Sequence, residues 1–335
     1  MIERIGAYTI RFFEPPTIIG FGAVAGKKEA EGPLGKGFEK VYYDSRAGQK
    51  TWEKAEAKFQ QEAFLLAMKK AEKKAEEIDF IFAGDLLNQL ISSSYSMRDF
   101  NIPYLGQYGA CSTMAQGLIM ASMAVAGGGA RTAGVVTSSH FCTAERQYRY
   151  PLEYGGIRTQ TAQWTVTGSG SAIVSNQGKG PKIIHATVGK IVDKGVTDIN
   201  NMGAAMAPAA ADTITAFFKD TNKKPCDFDR IYTGDLGQVG TEIFHELMRN
   251  EGYEIAKLHR DCGLMIFDRN KQDVHAGGSG CGCGASVLCS KILTDMQEQK
   301  LNNILFMATG ALMSPTANQQ GQSIPAVAHL VNVTA

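Results

Sequence analysis

Two stretches of the chain repeat each other at a constant offset of 150 positions, from Asp79 to Asp229. The first reads DFIFAGDLL and the second reads DRIYTGDLG, and each is a short β-rich segment that ends in Gly-Asp, a turn signal. The identical pairs are Asp79/Asp229, Ile81/Ile231, Gly84/Gly234, Asp85/Asp235 and Leu86/Leu236. Because so short a match can arise by chance, the flanking segments must repeat as well.

The flanking segments do repeat. An apolar pattern with helical spacing precedes the first copy over residues 51–78, and a shorter one over 207–223 precedes the second, where Pro208 is expected to open the helix. A helix and a strand then follow each copy. After the first copy come the helical run that follows Cys111 and the strand TAGVVTSSH. After the second copy come the segment GGSGCGCGASVLCSKILTDM, a Gly-rich turn into a helix, and the strand NNILFMATGAL. The order helix, strand, turn, helix, strand therefore occurs twice.

This order predicts a duplicated α/β fold in which helices cross over between parallel strands. The apolar strands lack clean alternation, as expected of strands that helices cover on both faces. We predict an N-terminal half over residues 1–180 and a C-terminal half over 181–335, packed as one pseudo-symmetric body with its seam at SNQGKGPK, residues 175–182. Functional sites in such folds gather where strand ends meet helix starts.

The composition argues against several classes of function. Nucleic-acid binding needs clustered Lys and Arg, and a net charge of +1 does not predict it. The N-terminal MIERIGAYTIRF has no apolar core, so no signal peptide is expected, and no window reaches the roughly 18 uninterrupted apolar residues of a spanning helix. Seven cysteines without disulfide-like spacing suit a reducing compartment. GGSGCGCG matches neither a dinucleotide-binding nor a P-loop pattern, so we expect no cofactor.

The segment GACSTMAQGL, residues 109–118, places Cys111 after a Gly-Ala pair and at the start of a helical run. Unpaired N–H groups and the positive end of the dipole favour a thiolate in the first turn of a helix. The helix beyond is apolar on nearly all sides and should be buried. A free cysteine that only fills the core explains the segment equally well.

Four features together resemble the thiolase and β-ketoacyl synthase superfamily: the duplicated halves, YGACSTMAQGL before a buried helix, WTVTGSGSAIV at 164–174, and GGSGCGCGASVL at the last helix. Four longer blocks resemble the stage V sporulation protein AD family within it. They are ERQYRYPLEYGGIRTQTAQWTVTGSGSA, NNMGAAMAPAAADT, IYTGDLGQVGTEI and ATGALMSPTANQQGQSIPAVAHLV. The resemblance covers essentially the whole chain, and it implies a thiolase-like fold with two pseudo-symmetric α/β halves packed in five layers.

The resemblance also implies a function. The family is known as a dimeric protein of endospore-forming bacteria that binds dipicolinic acid and serves its uptake into the developing spore. We therefore expect a homodimer with dipicolinate as its ligand, with or without calcium. The same resemblance implies partners among the membrane proteins of the sporulation complex, and a location peripheral to the spore inner membrane.

In the condensing enzymes of the superfamily the cysteine is acylated, a His of the second half handles protons, and a further His or Asn completes the site. The resemblance places these positions at Cys111, at Asp235 and near Cys281, so that neither imidazole is present. An attacking thiolate needs a base or imidazolium nearby, whereas an aspartate raises the pKa of a thiol. We therefore predict a ligand pocket without catalysis, lined by Cys111, Asp235 and Cys281. A residual acyltransferase and a scaffold for membrane partners are the alternatives.

The stretch AERQYRYPLEYGGIRTQTAQW, residues 144–164, sets Arg146, Arg149 and Arg158 among aromatic side chains that include Tyr150. Arginine binds planar carboxylates bidentately, and aromatic faces suit a flat heteroaromatic ring. These four residues are predicted ligand contacts on a loop, and a surface or dimer-contact loop is the alternative.

His140 ends the strand after the cysteine helix, so it is a further candidate for the pocket, with ordinary packing as the alternative. Several cysteines surround the C-x-C of GSGCGCGAS, but a structural zinc site usually shows paired short spacings. Small buried residues at a close-packed turn explain the motif better, and no metal site is predicted.

Overall fold

The computed structural model describes residues 1–148 and 158–335 as an α/β fold. Its strands are β1 (Ile2–Ile5), β2 (Thr9–Phe12), β3 (Thr17–Gly26), β4 (Lys40–Tyr42), β5 (Phe80–Gly84), β6 (Tyr104–Gly106), β7 (Thr132–Ser139), β8 (Trp164–Thr165), β9 (Gly168–Ser175), β10 (Lys182–Val188), β11 (Arg230–Thr233), β12 (His259–Asp261), β13 (Gly278–Ser279), β14 (Asn303–Ala311) and β15 (Ala326–Thr334).

Eleven α-helices are present in the described residues. They are α1 (Lys27–Ala30), α2 (Trp52–Lys70), α3 (Ile91–Met97), α4 (Thr113–Ala126), α5 (Phe141–Tyr148), α6 (Met202–Thr221), α7 (Gly237–Asn250), α8 (Cys262–Met265), α9 (Cys281–Val287), α10 (Leu293–Gln297) and α11 (Pro315–Gln319). A π-helical turn over Leu288–Ile292 joins α9 to α10. Within the described ranges, no helix combines the length and apolarity needed to cross a membrane.

Each half of the chain contributes five strands with the same order and directions. The first half runs β6-β5-β7-β9-β3 and the second runs β12-β11-β14-β15-β10. In both, the first three strands are parallel and the last two pairings are antiparallel. The repeated sequence segments form β5 and β11, which are therefore equivalent strands. The connection at the predicted seam links β9 to β10, and Lys182 pairs with Thr17 where the two sheets join.

Helices and sheets alternate in five layers. Helix α2 covers β3, β7 and β9 of the first sheet on its outer side, and α6 covers β14 and β15 of the second. Helix α4 packs between the two sheets, in contact with β5, β7 and β9 on one side and with β14 and β15 on the other. Helix α9 lies beside α4 in this central layer. The apolar run after Cys111 is buried because it has a sheet on both sides.

Two helix boundaries differ from the sequence prediction. Helix α6 begins at Met202, where the Asn201 side chain accepts a hydrogen bond from the Ala204 amide, so Pro208 lies inside the helix instead of opening it. The Asn201 side chain satisfies a first-turn amide, and this cap outweighs the preference of proline for the first position. The second difference is α5, because part of the stretch predicted as a loop from residue 144 is helical through Tyr148.

The central layer comes very close to the first sheet at Gly170 of β9. A Cβ atom built at Gly170 would lie 2.2 Å from the carbonyl oxygen of Ala285 in α9. The strand and the helix meet here backbone to backbone, so a larger residue at Gly170 would push α9 away from β9. Only glycine fits at this point of the strand.

We predict that Gly170→Ala lowers the free energy of unfolding by about 1–3 kcal/mol or more, because the added methyl group overpacks the junction of β9 and α9. Chemical denaturation monitored by circular dichroism measures the change. Gly129→Ala is the matched control, since a Cβ there would meet its nearest atom at an ordinary 3.5 Å. Equal stability of the two variants would contradict the close packing described.

Candidate functional site

The turn that carries Cys111 is fixed by its own hydrogen bonds. The Ser112 hydroxyl donates to the Gly109 carbonyl at 2.6 Å, and the Thr113 hydroxyl donates to the Ala110 carbonyl at 2.7 Å. Ala110 has φ of +48°, a left-handed conformation that is uncommon for a residue with a Cβ. The helix begins at Thr113, so Cys111 precedes its N-cap instead of lying in its first turn.

Strand β14 of the second half packs directly against this turn. A Cβ built at Gly310 of β14 would lie 2.3 Å from the Gly109 carbonyl oxygen and 3.0 Å from the Ser112 amide nitrogen. Glycine at this position lets the strand reach the cysteine turn directly. Two segments far apart in sequence therefore form the floor of one site.

Asp235 is the side chain that faces the Cys111 thiol, and the two groups interact. Asp235 is fully buried just after β11, and three donors hold its carboxyl group. The Thr309 hydroxyl donates at 3.0 Å, the Ser279 hydroxyl at 3.1 Å and the Gly280 amide at 2.8 Å. Burial raises the pKa of Asp235 to about 6, although the thiol and these donors favour the ionised form.

The Cys111 thiol is held in its protonated form. Burial raises the pKa of Cys111 well above its ordinary value, and the charges of Asp235 and Cys281 raise it further. The backbone amide of Gly280 opposes this rise by donating to the sulfur. A buried thiol with a raised pKa is a poor nucleophile at neutral pH.

No imidazole takes part in this site. All six histidines lie in the described ranges, and each has partners elsewhere. The Nε2 atom of His140 hydrogen-bonds the Ser45 carbonyl at 2.7 Å, while its Nδ1 accepts from the Cys142 amide at 3.1 Å. Burial lowers the pKa of His140 to about 4, so this ring is neutral. His140 therefore lies outside the immediate surroundings of the thiol.

Cys281 is close to Cys111 in the fold, as the sequence predicted. Both belong to one small buried cluster with Leu86, Ala110 and Ala144. The Cys281 sulfhydryl donates to the Ser138 carbonyl at 2.8 Å. Burial raises the pKa of Cys281 well above its ordinary value, and the buried carboxyls of Glu56 and Asp85 add to this rise. Cys281 therefore packs beside Cys111 as a neutral group, but neither Cys281 nor Asp235 is among the described residues that line the adjacent cavity, contrary to the prediction for both.

Asp85 is the first-half counterpart of Asp235 in the repeat, and it is buried as well. Its carboxylate accepts from the Leu87 amide at 2.8 Å and from the Ser93 amide and hydroxyl at 2.7 and 2.6 Å. Burial raises the pKa of Asp85. The duplication therefore places one buried acid at the end of each equivalent strand, and only the second of them faces the thiol.

The predicted arginine contacts lie apart from Cys111 or outside the described residues. Arg146 forms an ion pair with Glu53. Arg158 pairs with Asp273 at 3.0 Å, and its guanidinium carbon lies 4.7 Å from the centre of the Trp164 ring. Arg149 and Tyr150 fall within 149–157, outside the described residues.

A cavity of about 40 Å³ lies beside Cys111. This space admits about three water molecules. The residues around it include Leu86, Tyr108, Tyr148, Thr165, Met202 and Ser279. Among the described residues that line the cavity there is no lysine, arginine or histidine. The described part of the chain also holds no group of three His, Cys, Asp or Glu side chains suited to a metal ion.

Two tyrosines close this cavity toward the surface. The Tyr108 and Tyr148 hydroxyls hydrogen-bond each other at 3.1 Å, and the Tyr148 hydroxyl also donates to the Leu86 carbonyl. Tyr108 is 44% exposed, so it lies between the cavity residues and solvent on this side. Sequence reasoning missed Tyr108, Ser279 and Thr309 as site residues. No local motif marks them, because they converge only through the packing of strand ends.

We predict that Asp235→Asn raises the alkylation rate of Cys111 by iodoacetamide several-fold at mildly alkaline pH, because removing the carboxylate lowers the pKa of the thiol. Peptide mass spectrometry measures the rate, with the exposed Cys226 as internal reference. Exposed Asp198 supplies the matched control, Asp198→Asn. An unchanged or slower reaction at Cys111 would contradict the electrostatic role of Asp235.

The chain is similar in sequence to a known protein family. The sequence profile described as Stage V sporulation protein AD matches residues 6–334. The chain is 47% identical over 328 residues to Stage V sporulation protein AD of Bacillus subtilis (strain 168), covering 98% of this chain and 97% of that relative.

Solved structures with low sequence identity show the same fold. The 3-oxoacyl-[acyl-carrier-protein] synthase III of Aquifex aeolicus VF5 superposes with a TM-score of 0.61 at 13% identity, covering 96% of this chain and all of that one (100%). Cerulenin-bound OleA of Xanthomonas campestris superposes with a TM-score of 0.63 at 11% identity, covering 99% of this chain and 98% of that one. The fold is thus that of condensing enzymes, and by sequence the chain belongs to the Stage V sporulation protein AD family.

Proposed function

We propose that this sporulation protein is a non-catalytic component that binds dipicolinate for its uptake into the developing endospore. The observation that carries the proposal is the pairing of the Cys111 thiol with the buried carboxyl group of Asp235. A condensing reaction needs a thiolate and a proton-handling base beside it. This pairing disfavours the thiolate and supplies no imidazole, so a cavity for a ligand is what remains.

The proposed ligand is a flat pyridine ring with two carboxylate groups, and several features of the cavity suit such a molecule. The cavity lies at strand ends beside aromatic side chains, Tyr108 and Tyr148. The backbone amides of Ser112 and Thr113 open helix α4 nearby, although both donate within the turn. The Ser279 hydroxyl already donates to Asp235 and the Tyr148 hydroxyl to the Leu86 carbonyl, so the Tyr108 hydroxyl, once it parts from Tyr148, is the proposed donor to a ligand carboxylate.

The cavity is too small for this ligand while the two tyrosine hydroxyls remain bonded to each other. We therefore propose that entry of the ligand separates Tyr108 from Tyr148. Tyr108 is the residue that moves, since it is 44% exposed and has solvent on one side. Loss of the hydrogen bond between the two tyrosine hydroxyls costs about 1 kcal/mol, which ligand binding can offset.

The proposal also includes partners. A dicarboxylate carries charge that calcium would offset, so the ligand is proposed to bind with or without calcium. Strand β6 is an exposed edge of the sheet, with Leu105 48% exposed, and we propose that it joins two copies in a homodimer. Membrane proteins of the sporulation complex are the proposed route by which the chain reaches the spore inner membrane, where it is peripheral.

We predict that dipicolinate gives a saturable heat of binding by isothermal titration calorimetry and that benzoate, which has one carboxylate, gives none at the same concentration. Cys111→Ala should weaken dipicolinate binding several-fold, by roughly 1 kcal/mol, because it removes a wall of the cavity. Cys226→Ala, a change at an exposed cysteine, is the matched control and should bind normally. A repeat with calcium shows whether the cation contributes.

The calorimetry can contradict the proposed binding of dipicolinate in two ways. If dipicolinate produces no more heat than benzoate, with or without calcium, the chain is not a dipicolinate-binding protein. If Cys111→Ala and Cys226→Ala bind equally well, the ligand lies elsewhere in the chain.

An acyltransferase or condensing enzyme that uses Cys111 is the second candidate. The full-length similarity in fold to 3-oxoacyl-[acyl-carrier-protein] synthase III favours it, but fold alone does not carry a function. A thiol whose pKa is raised and that has no imidazole beside it attacks a thioester slowly at neutral pH.

We predict that incubation with acyl-CoA thioesters of several chain lengths leaves the intact mass of the protein unchanged. A mass increase equal to the acyl group, absent from Cys111→Ala, would establish the enzymatic alternative instead.

A further inference from the structure

A row of hydrogen-bonded side chains leads from the surface of α7 to the acids behind Cys111. His245 Nε2 and His259 Nδ1 are 2.9 Å apart, and His259 Nε2 and Thr233 Oγ1 are 2.8 Å apart. The Thr233 hydroxyl donates to Asp261 Oδ2 at 2.6 Å. His259, Thr233 and Asp261 are buried, whereas His245 is partly exposed. We call His245, His259, Thr233 and Asp261 the polar network.

The inner end of this network adjoins the functional site. The Asp261 carboxylate accepts the amides of Leu236 at 2.8 Å and Gly237 at 3.0 Å, which are the two residues after Asp235. Burial raises the pKa of Asp261 to about 7, and the charge of nearby Asp235 raises it further. Two buried acids side by side cannot both ionise cheaply. Near neutral pH this pair is therefore ready to take up a proton.

The donors and acceptors of the network fit two opposite arrangements. When Asp261 is ionised, the single proton of Thr233 points to Asp261, so Thr233 accepts from His259 Nε2–H and His259 Nδ1 accepts from His245 Nε2–H. When Asp261 is protonated, each bond reverses: Asp261 donates to Thr233, Thr233 to His259, and His259 to His245. Every group is satisfied in both arrangements.

Reversal of the network moves one proton with full balance. A proton from solvent binds Nδ1 of His245, which releases its Nε2 proton to Nδ1 of His259. His259 passes its Nε2 proton to the Thr233 oxygen, and Thr233 passes its hydroxyl proton to Asp261. Each group ends with the number of protons it had, except Asp261, which gains one.

The charged groups around the network lie toward its outer end. Arg249 and Glu254 face His245, and Arg260 lies beside His259. Burial lowers the pKa of His259 to about 3, and the charges of His245 and Arg260 lower it further. The titratable groups at the inner end are Asp235, Cys262 and Cys283. The histidines are therefore kept neutral, so they transmit a proton instead of storing it.

A proton taken up by these acids would offset part of the charge of a dicarboxylate ligand. The described lining of the cavity includes the carboxyl group of Glu145 and no cationic side chain, and the buried carboxyl group of Asp235 lies next to the thiol. An anionic ligand placed there meets like charge in a medium of low dielectric constant, which is unfavourable by several kcal/mol unless a proton or cation offsets it. We propose that ligand binding at the Cys111 cavity is coupled to uptake of a proton by the Asp235–Asp261 pair, delivered through the polar network. This inference rests on the proposed binding of dipicolinate.

Calorimetry in two buffers of different ionisation enthalpy tests the coupling, since the difference in heat gives the protons taken up with the ligand. Dipicolinate binding to the wild-type chain near neutral pH should take up about one proton. Asp261→Asn keeps one side-chain oxygen for Thr233 and the Leu236 amide, loses the acceptor of the Gly237 amide and cannot gain a proton, so uptake should fall to about half or less. Equal heats in both buffers for the wild type would overturn the coupling.

A second measurement tests the path without any ligand, so that failure of dipicolinate binding and failure of the path are told apart. The infrared C=O stretch of a buried protonated carboxyl group shifts when its proton exchanges with D₂O. In slightly acidic solution, exchange in His245→Phe should be at least about tenfold slower than in the wild type, because the outer relay group is removed. Glu246→Gln, an exposed change on the same helix, is the matched control and should exchange at the wild-type rate.

Each outcome of the exchange experiment decides the path. Equal exchange rates in the wild type and His245→Phe would show that the acids exchange by another route and would overturn the path, whatever the calorimetry gives. Absence of heat with dipicolinate, together with slow exchange in His245→Phe, would remove the proposed ligand and keep the path.

Discussion

The buried carboxyl group of Asp235 is the point on which the site depends. A carboxyl group in the interior is tolerated only when donors satisfy it, and those donors come from two separate segments. Thr309 belongs to β14, Ser279 to β13, and Gly280 precedes α9. Because Asp235 also faces Cys111 of the first half, one side chain ties the two halves together at the cavity. Displacement of any of these segments would leave a buried acid without its partners.

The same convergence shows which parts of the fold are independent of the chemistry at Cys111. The architecture comes from buried strands and from close contacts such as Gly170 with Ala285 and Gly310 with the cysteine turn. None of these contacts needs an imidazole. The chemistry depends on one position, where an aspartate stabilises the protonated thiol. Fold and function are therefore separable here, and similarity to solved synthases at 11–13% identity carries only the fold.

The acids of this site are not isolated. Asp261 binds the amides that follow Asp235, and the polar network connects it to the partly exposed ring of His245. A cavity whose described lining has no cationic side chain must balance an anionic ligand in some other way. In the proposed coupling, proton uptake by the Asp235–Asp261 pair provides that balance and links binding of the proposed ligand to the pH of the solution. The second half of the chain would then contribute the proton as well as the floor of the cavity.

The sequence by itself determined the architecture and the position of the cysteine. The repeat from Asp79 to Asp229 predicted two equivalent strands, and they form β5 and β11 in sheets with the same strand order. The sequence reveals such strands because burial between two layers of helices requires apolar residues along their length. Boundaries were less secure: the cap at Asn201 starts α6 before Pro208, and Cys111 precedes its helix.

Only the tertiary structure decided the contents of the site. It placed Asp235 against Cys111 and brought Ser279, Thr309 and Tyr108 to the same place, while Arg146 and Arg158 found acidic partners elsewhere. Repeats and periodicity report which face of an element is buried, so they identify helices and strands. They do not report which strand ends meet, because that depends on how two halves pack across a distance of many residues in sequence.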